Sequence, residues 1–145
     1  MTSETYVVAY ECDDDSGTVL EYAIASAKKT GASLHIVHIL EWSPYTFLTP
    51  QELEERHMRR KEELERAKSA LLDPAIGKAK AAGVSCDGEI RYGSVVELIV
   101  QVTKDVDASM IFVGRSGSNA LSARVFGSVP IGLAQIAPVP TVIVP

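Results

Sequence analysis

Cysteine is scarce in this chain. Cys12 and Cys86 are the only two in 145 residues, and neither sits in metal-type spacing or a paired motif. Both read as small buried or loop thiols in a reducing compartment rather than as parts of a disulfide framework or a zinc cluster. An excess of positive charge is also missing. The net charge is −5 and the pI about 5.2, which argues against a general nucleic-acid or anionic-membrane binder. No apolar run approaches the length needed to span a bilayer. The opening Met1-Thr2-Ser3-Glu4 has neither the basic start nor the apolar core of a signal peptide, so a cytoplasmic location is expected. Three chemistries are likewise without their residues. There is no G-x4-G-K-[ST] phosphate loop, no Ser-His-Asp set and no reactive-cysteine motif.

What is present suits one ordinary globular domain over residues 1–145. Hydrophobic residues make up 46% of the chain and charged residues 23%, enough to bury a core without covalent staples. Strand-like and helix-like segments alternate. Tyr6–Tyr10 reads as a first strand, followed by the polar run Cys12–Gly17 with N-cap residues. Val19, Leu20, Ala23, Ile24 and Ala27 then keep helical spacing up to Lys28-Lys29, with Gly31 as a stop. Leu34–Leu40 is a second, nearly continuous apolar strand.

Thr49-Pro50-Gln51-Glu52 has capping-box spacing with proline at the first helical position, predicting a helix to about Leu72. Asp73-Pro74 repeats that signal and predicts a break or kink before a second helical piece ends at Gly83. Ser85–Tyr92 is a third strand, Ser94 to about Lys104 a helix, and Met110–Val113 a fourth strand. A helix from about Ser128 to Ile136 leads through Pro138 and Pro140 into a last strand, Thr141–Val144. Strands joined by helical crossovers predict an α/β fold with a parallel sheet and helices on both faces. In such folds a ligand sits beyond the carboxyl ends of the strands where the winding reverses.

The fourth strand empties into Gly114-Arg115-Ser116-Gly117, followed nine residues later by Gly127-Ser128-Val129. Glycines let backbone N–H groups approach an anion, and the helix start adds unsatisfied donors and a partial positive charge. The pattern points to a nucleotide-phosphate cradle.

Together, the spacing G-x2-G-x9-G-S, the tail Ala137-Pro138-Val139-Pro140-Thr141-Val142-Ile143-Val144 and the phrase Leu34-His35-Ile36-Val37-His38-Ile39 resemble the universal stress protein family. Val7-Val8-Ala9-Tyr10, Leu20–Ala25 and Gly93-Ser94-Val95-Val96 also fall where that family's pattern expects them. The resemblance covers essentially the whole chain. It implies a single-domain, five-stranded, Rossmann-like sheet of the adenine nucleotide alpha hydrolase type, with strand order 3-2-1-4-5. It also implies that ATP or another adenine nucleotide binds, since family members with the glycine motif bind one.

By the same resemblance Gly114, Gly117, Gly127 and Ser128 line the phosphates, with Arg115, Ser116 and the Val129 amide beside them. Val113 walls the ribose or base, and Ile39 is the apolar position whose backbone contacts adenine. Glu11, next to Ala9 and Tyr10, stands where the family usually has aspartate near the ribose. Pro130 replaces a common serine or threonine and offers neither hydroxyl nor N–H to a terminal phosphate, so diphosphate or monophosphate is favoured over triphosphate. Relatives commonly dimerise through the last strand, here Thr141–Val144, an apolar edge that invites another strand.

Other residues have plainer readings. His35 and His38 read as structural. Asp13-Asp14-Asp15 raises Mg²⁺ beside the phosphates as an alternative to helix capping and macrodipole complementarity. The charges between Glu52 and Arg66 read as a solvated face of i,i+4 pairs. Arg124 either reaches a phosphate or lies in solvent. Backbone donors hold charge in the ground state without stabilising a transition state, so any hydrolysis should be slow. A nucleotide-dependent stress-response sensor or adaptor with a regulatory protein partner is the expected function. A slow ATPase and a nucleotide-free interaction module are the alternatives.

Overall fold

A computed structural model describes residues 4–10, 16–41, 49–115 and 128–145. Five parallel strands form one sheet: β1 (Thr5–Ala9), β2 (Ser33–Glu41), β3 (Cys86–Gly93), β4 (Met110–Gly114) and β5 (Thr141–Val144). Their order is β3-β2-β1-β4-β5, as the family resemblance implies. The connecting helices are α1 (Ser16–Thr30), α2 (Pro50–Ala67), α3 (Asp73–Ala81), α4 (Val95–Asp105) and α5 (Ser128–Ile136).

Strand alternation sorts the apolar residues into two cores, because successive side chains point to opposite faces. Val8 pairs with Ile36 on one side and Phe112 on the other. These three pack with Leu20, Ala23, Ala75 and Ala79 from α1 and α3. Val7 and Ile111 point the other way and pack with Ile99, Val102 and Leu133 from α4 and α5. Both faces of β1 and β4 are therefore covered, and each fully buried Val, Leu, Ile or Phe contributes roughly 1.5–3 kcal/mol.

The expected helix stops hold. Gly31 takes φ 78 and Gly83 φ 86, the left-handed conformation that closes a helix with least strain. Thr49 caps α2, its side chain accepting from the Glu52 amide at 3.2 Å. The expected break at Asp73-Pro74 takes a different form. Lys68–Leu72 is one turn of π-helix, in which the Asp73 N–H donates to the Lys68 carbonyl. The helical path thus continues from α2 into α3. Proline lacks an N–H and crowds the carbonyl four residues back, and a one-residue bulge relieves both problems just before it. The bulge also sets Leu72, 4% exposed, onto β3.

β3 shows why its alternation is weak in the sequence. Cys86, Gly88 and Ile90 face one side and Asp87, Glu89 and Arg91 the other. Burial raises the Cys86 thiol to about 11, with Asp87 adding to the shift, so this cysteine is inert rather than reactive. On the polar side, His35 of β2 contacts Asp87 Oδ1 through Nδ1 and Glu89 Oε2 through Nε2, both at 2.7 Å. Arg91 continues the chain of charges by donating to Glu89 and, at 3.2 Å, to Asp105 of α4. Burial opposes the Arg91 charge, but the bonds to Glu89 and Asp105 outweigh it and raise its pKa.

Candidate functional site

Strand order reverses between β1 and β4. From β1 the chain winds outward through β2 to β3; from β4 it winds the opposite way to β5. The crevice beyond the carboxyl ends of β1 and β4 is the place where such sheets hold ligands.

β1 ends at Ala9, buried in the α4–α5 core, and its pairing with β2 stops at Ala9↔Val37. Tyr10 extends the contact by one residue. Its N–H donates to the Val37 carbonyl at 2.9 Å, and its own carbonyl lies 2.7 Å from His38 Nδ1. β2 runs on to Glu41, paired there with β3 alone.

This overhang exposes backbone. Main-chain groups of successive residues in a strand point to alternate sides. The Ser33 amide donates to Glu4, on the β1 side, and the Leu34 amide to Ser85, on the β3 side. Val37 again faces β1, so Ile39, two residues on, directs its N–H and C=O to the same side. There β1 has already left the sheet, and among the described strands none pairs with those groups. The Ile39 side chain packs against the α4–α5 core.

On the other wall, Val113 is buried at 3% and commits its side chain to the same core, so what it offers a ligand is main chain. Gly114 pairs with Val144, and the Arg115 amide donates to the Val144 carbonyl at 2.9 Å. Arg115 itself is exposed. α5 begins at Ser128, with Val129 packed against the α4–α5 core and Pro130 buried. Proline in the first helical turn removes one of the free amides that a helix start would otherwise present.

The structure thus places Ala9, Tyr10, Ile39, Val113, Gly114 and Arg115 at the carboxyl ends of β1, β2 and β4, and Ser128, Val129 and Pro130 at the start of α5. Glu11, Ser116, Gly117 and Gly127 lie outside the described residues, as do Asp13–Asp15 and Arg124. Among the described residues, no group of three or more His, Cys, Asp or Glu side chains is arranged to hold a metal. No described helix is long and apolar enough to cross a membrane.

Two contacts have no signal in the sequence. His38, which reads there as structural, holds the carbonyl of Tyr10, just past β1, at 2.7 Å, a partner the sequence does not name. The carboxylates that meet His35 are more than fifty residues away in the chain, and only the parallel register brings them together.

The universal stress protein family model matches residues 3–145. The chain belongs to this family. Among solved structures, it is similar to the universal stress protein UspA from Lactobacillus plantarum, at 19% identity and a TM-score of 0.84, with all of both chains covered. A universal stress protein from Archaeoglobus fulgidus in complex with dAMP superposes at a TM-score of 0.65 with 18% identity, over 99% of this chain and 98% of that one. A universal stress protein in complex with cAMP superposes at 0.71 with 23% identity, over 100% of this chain and 98% of that one. Among curated proteins, no sequence relative is found.

Proposed function

We propose that this universal stress protein binds an adenine nucleotide in the β1–β4 crevice and acts in the cytoplasm as a nucleotide-dependent sensor or adaptor. Residues 1–145 serve as one nucleotide-binding domain. The observation that carries this reading is the overhang of β2. The outward main chain of Ile39 offers one donor and one acceptor at the crevice. Adenine presents a complementary pair, the N6 amino donor and the N1 acceptor. Guanine presents the reverse order at that edge, so the same backbone disfavours it. The dAMP and cAMP held by two structurally similar family members support the choice of base.

The phosphates extend toward the glycine-rich segment and α5. Gly114, Gly117, Gly127 and Ser128 line them with backbone donors, Arg115 adds charge, and Glu11 holds the ribose. The α5 start contributes the Ser128 and Val129 amides, and Pro130 contributes none. That loss weakens the hold on a terminal phosphate and favours ADP or AMP over ATP. Backbone donors hold charge in the ground state without stabilising a transition state, so a bound nucleotide acts by ordering the crevice for a regulatory partner rather than by fast turnover.

The protein pairs with a second copy through β5. Ile143 on that edge strand is 46% exposed, and Ile131 and Ile136 of α5 are 47% and 52% exposed. An open backbone edge flanked by exposed isoleucines suits two-fold strand addition.

Calorimetric titration of nucleotide-stripped protein with ATP, ADP, AMP and GMP, each with and without Mg²⁺, tests the reading. Micromolar binding of adenine nucleotides, weaker GMP and a preference for fewer phosphates are expected. Gly117→Val should weaken binding by about tenfold or more by filling the phosphate approach, with the fold retained. No binding of any nucleotide would leave the interaction-module alternative.

A further inference from the structure

We infer that His38 is a positioning residue of the nucleotide crevice, acting through the Tyr10 carbonyl rather than by touching the ligand. The inference rests on the proposed nucleotide reading and adds to it the device that sets the mouth of the site. Tyr10 is the first residue past β1. Its N–H is tied to Val37 at 2.9 Å and its carbonyl to His38 Nδ1 at 2.7 Å. Both main-chain polar groups of one residue are therefore fixed from β2, one by backbone and one by a side chain.

The ring can do this only with a hydrogen on Nδ1. A carbonyl oxygen accepts and never donates, so Nδ1 carries the hydrogen. His38 is 9% exposed, and its side chain stands on the α1–α3 face between Ile36 and Leu40 in the strand alternation. Burial keeps competing water from the bond, which strengthens it and makes its loss costly. The next residue of β2 is Ile39, whose main chain faces the crevice. One dipeptide, His38-Ile39, therefore does two things at once: it presents the base-reading backbone and clamps the chain where it leaves the neighbouring strand β1.

Without the clamp the chain would still leave β1 at Tyr10, but its direction would no longer be held. A binding wall that must be ordered by the ligand costs affinity without changing the fold.

The test compares His38→Leu with His38→Asn. Leucine removes the donor and keeps an apolar body. Asparagine places an amide donor near the position of Nδ1. In His38→Leu, AMP affinity should fall by roughly tenfold, about the value of one buried hydrogen bond. His38→Asn should recover most of it, and both variants should keep the wild-type circular dichroism spectrum, with the leucine variant unfolding at a lower midpoint. Nitrogen NMR of the wild type should show a protonated Nδ1, and the Tyr10 amide should exchange faster in the leucine variant only. Equal affinity in wild type and His38→Leu, or no recovery in His38→Asn, would overturn the inference. If the wild type binds no nucleotide, the crevice reading fails. The NMR tautomer and the Tyr10 exchange pattern would still decide whether the clamp exists.

Discussion

Two glycine-to-alanine substitutions, Gly88→Ala and Gly77→Ala, add the same methyl group and should move stability in opposite directions. Gly88 lies in β3 opposite Ile36. A Cβ there would stand 2.7 Å from the Ile36 carbonyl oxygen and 2.7 Å from Leu72 Cδ1, where ordinary contact begins at 3.4 Å. Each approach is 0.7 Å too short (3.4 − 2.7). The Leu72 methyl could swing away only at the expense of its packing. The carbonyl belongs to the sheet and can move only by prising β2 from β3. Overpacking of this kind costs typically 1–3 kcal/mol, and the strained ladder puts Gly88→Ala at the upper end, about 3 kcal/mol.

Gly77 lies inside α3, and nothing stands within 4 Å of the position its Cβ would take. Alanine there should stabilise by about 0.5–1 kcal/mol through helix propensity alone. With a urea slope of about 2 kcal/mol per molar, the midpoints should shift by about −1.5 M and about +0.4 M. Urea unfolding followed by circular dichroism measures both. A Gly88→Ala midpoint within about 0.25 M of wild type, on the same scale, would refute the account of how the π turn seats Leu72 on β3.

Tyr92 provides a pH test. Its hydroxyl donates to Glu63, and burial followed by that bond and the Glu63 charge raises it to about 12 from 10.0, with Arg60 opposing. The folded value lies above the unfolded one, so the contribution is fully present below pH 10 and is lost as pH rises toward 12. Tyrosinate absorbance should show one late-titrating tyrosine that Tyr92→Phe removes; ionisation of Tyr92 near its ordinary value of 10.0 would contradict the contact with α2. Under the proposed pairing through β5, the wild type should sediment as a dimer and Ile143→Lys as a folded monomer. An unchanged dimer would move the interface away from β5.

How much of this was legible in the sequence depended on the range of the interaction. The stops at Gly31 and Gly83 and the cap at Thr49 are local and could be read from a few neighbouring residues. The strand β4 was legible for the same reason. The π turn was half legible. Asp73-Pro74 announces a disturbed helix, but whether the chain breaks or bulges depends on Leu72 finding Gly88 across the sheet. The clamp on Tyr10 and the pairing of His35 with Asp87 and Glu89 were not legible, because both depend on strand register. A one-residue slip of β3 against β2 would turn Asp87 and Glu89 to the opposite face.

The sheet has two edges, and they are built in opposite ways. β3 carries Asp87, Glu89 and Arg91 along one face, joined to His35 and to Asp105. Charges in such a row discourage a further strand, because pairing would have to desolvate them. β5 has no such row. Its four residues, Thr141-Val142-Ile143-Val144, are uncharged, and Ile143 stands exposed, as do Ile131 and Ile136 of α5. Among the described strands, β5 alone presents an uncharged sheet edge, which fits the proposed closed dimer better than an open filament. The open edge is also wired to the crevice. Val144 pairs with Gly114 and receives the Arg115 amide, so the backbone that would pair across the dimer is one strand from the start of the phosphate segment. Under the proposed function, a nucleotide that orders that segment and a partner that covers β5 would act on the same short stretch of main chain. Binding of one should then shift the affinity of the other by an equal factor.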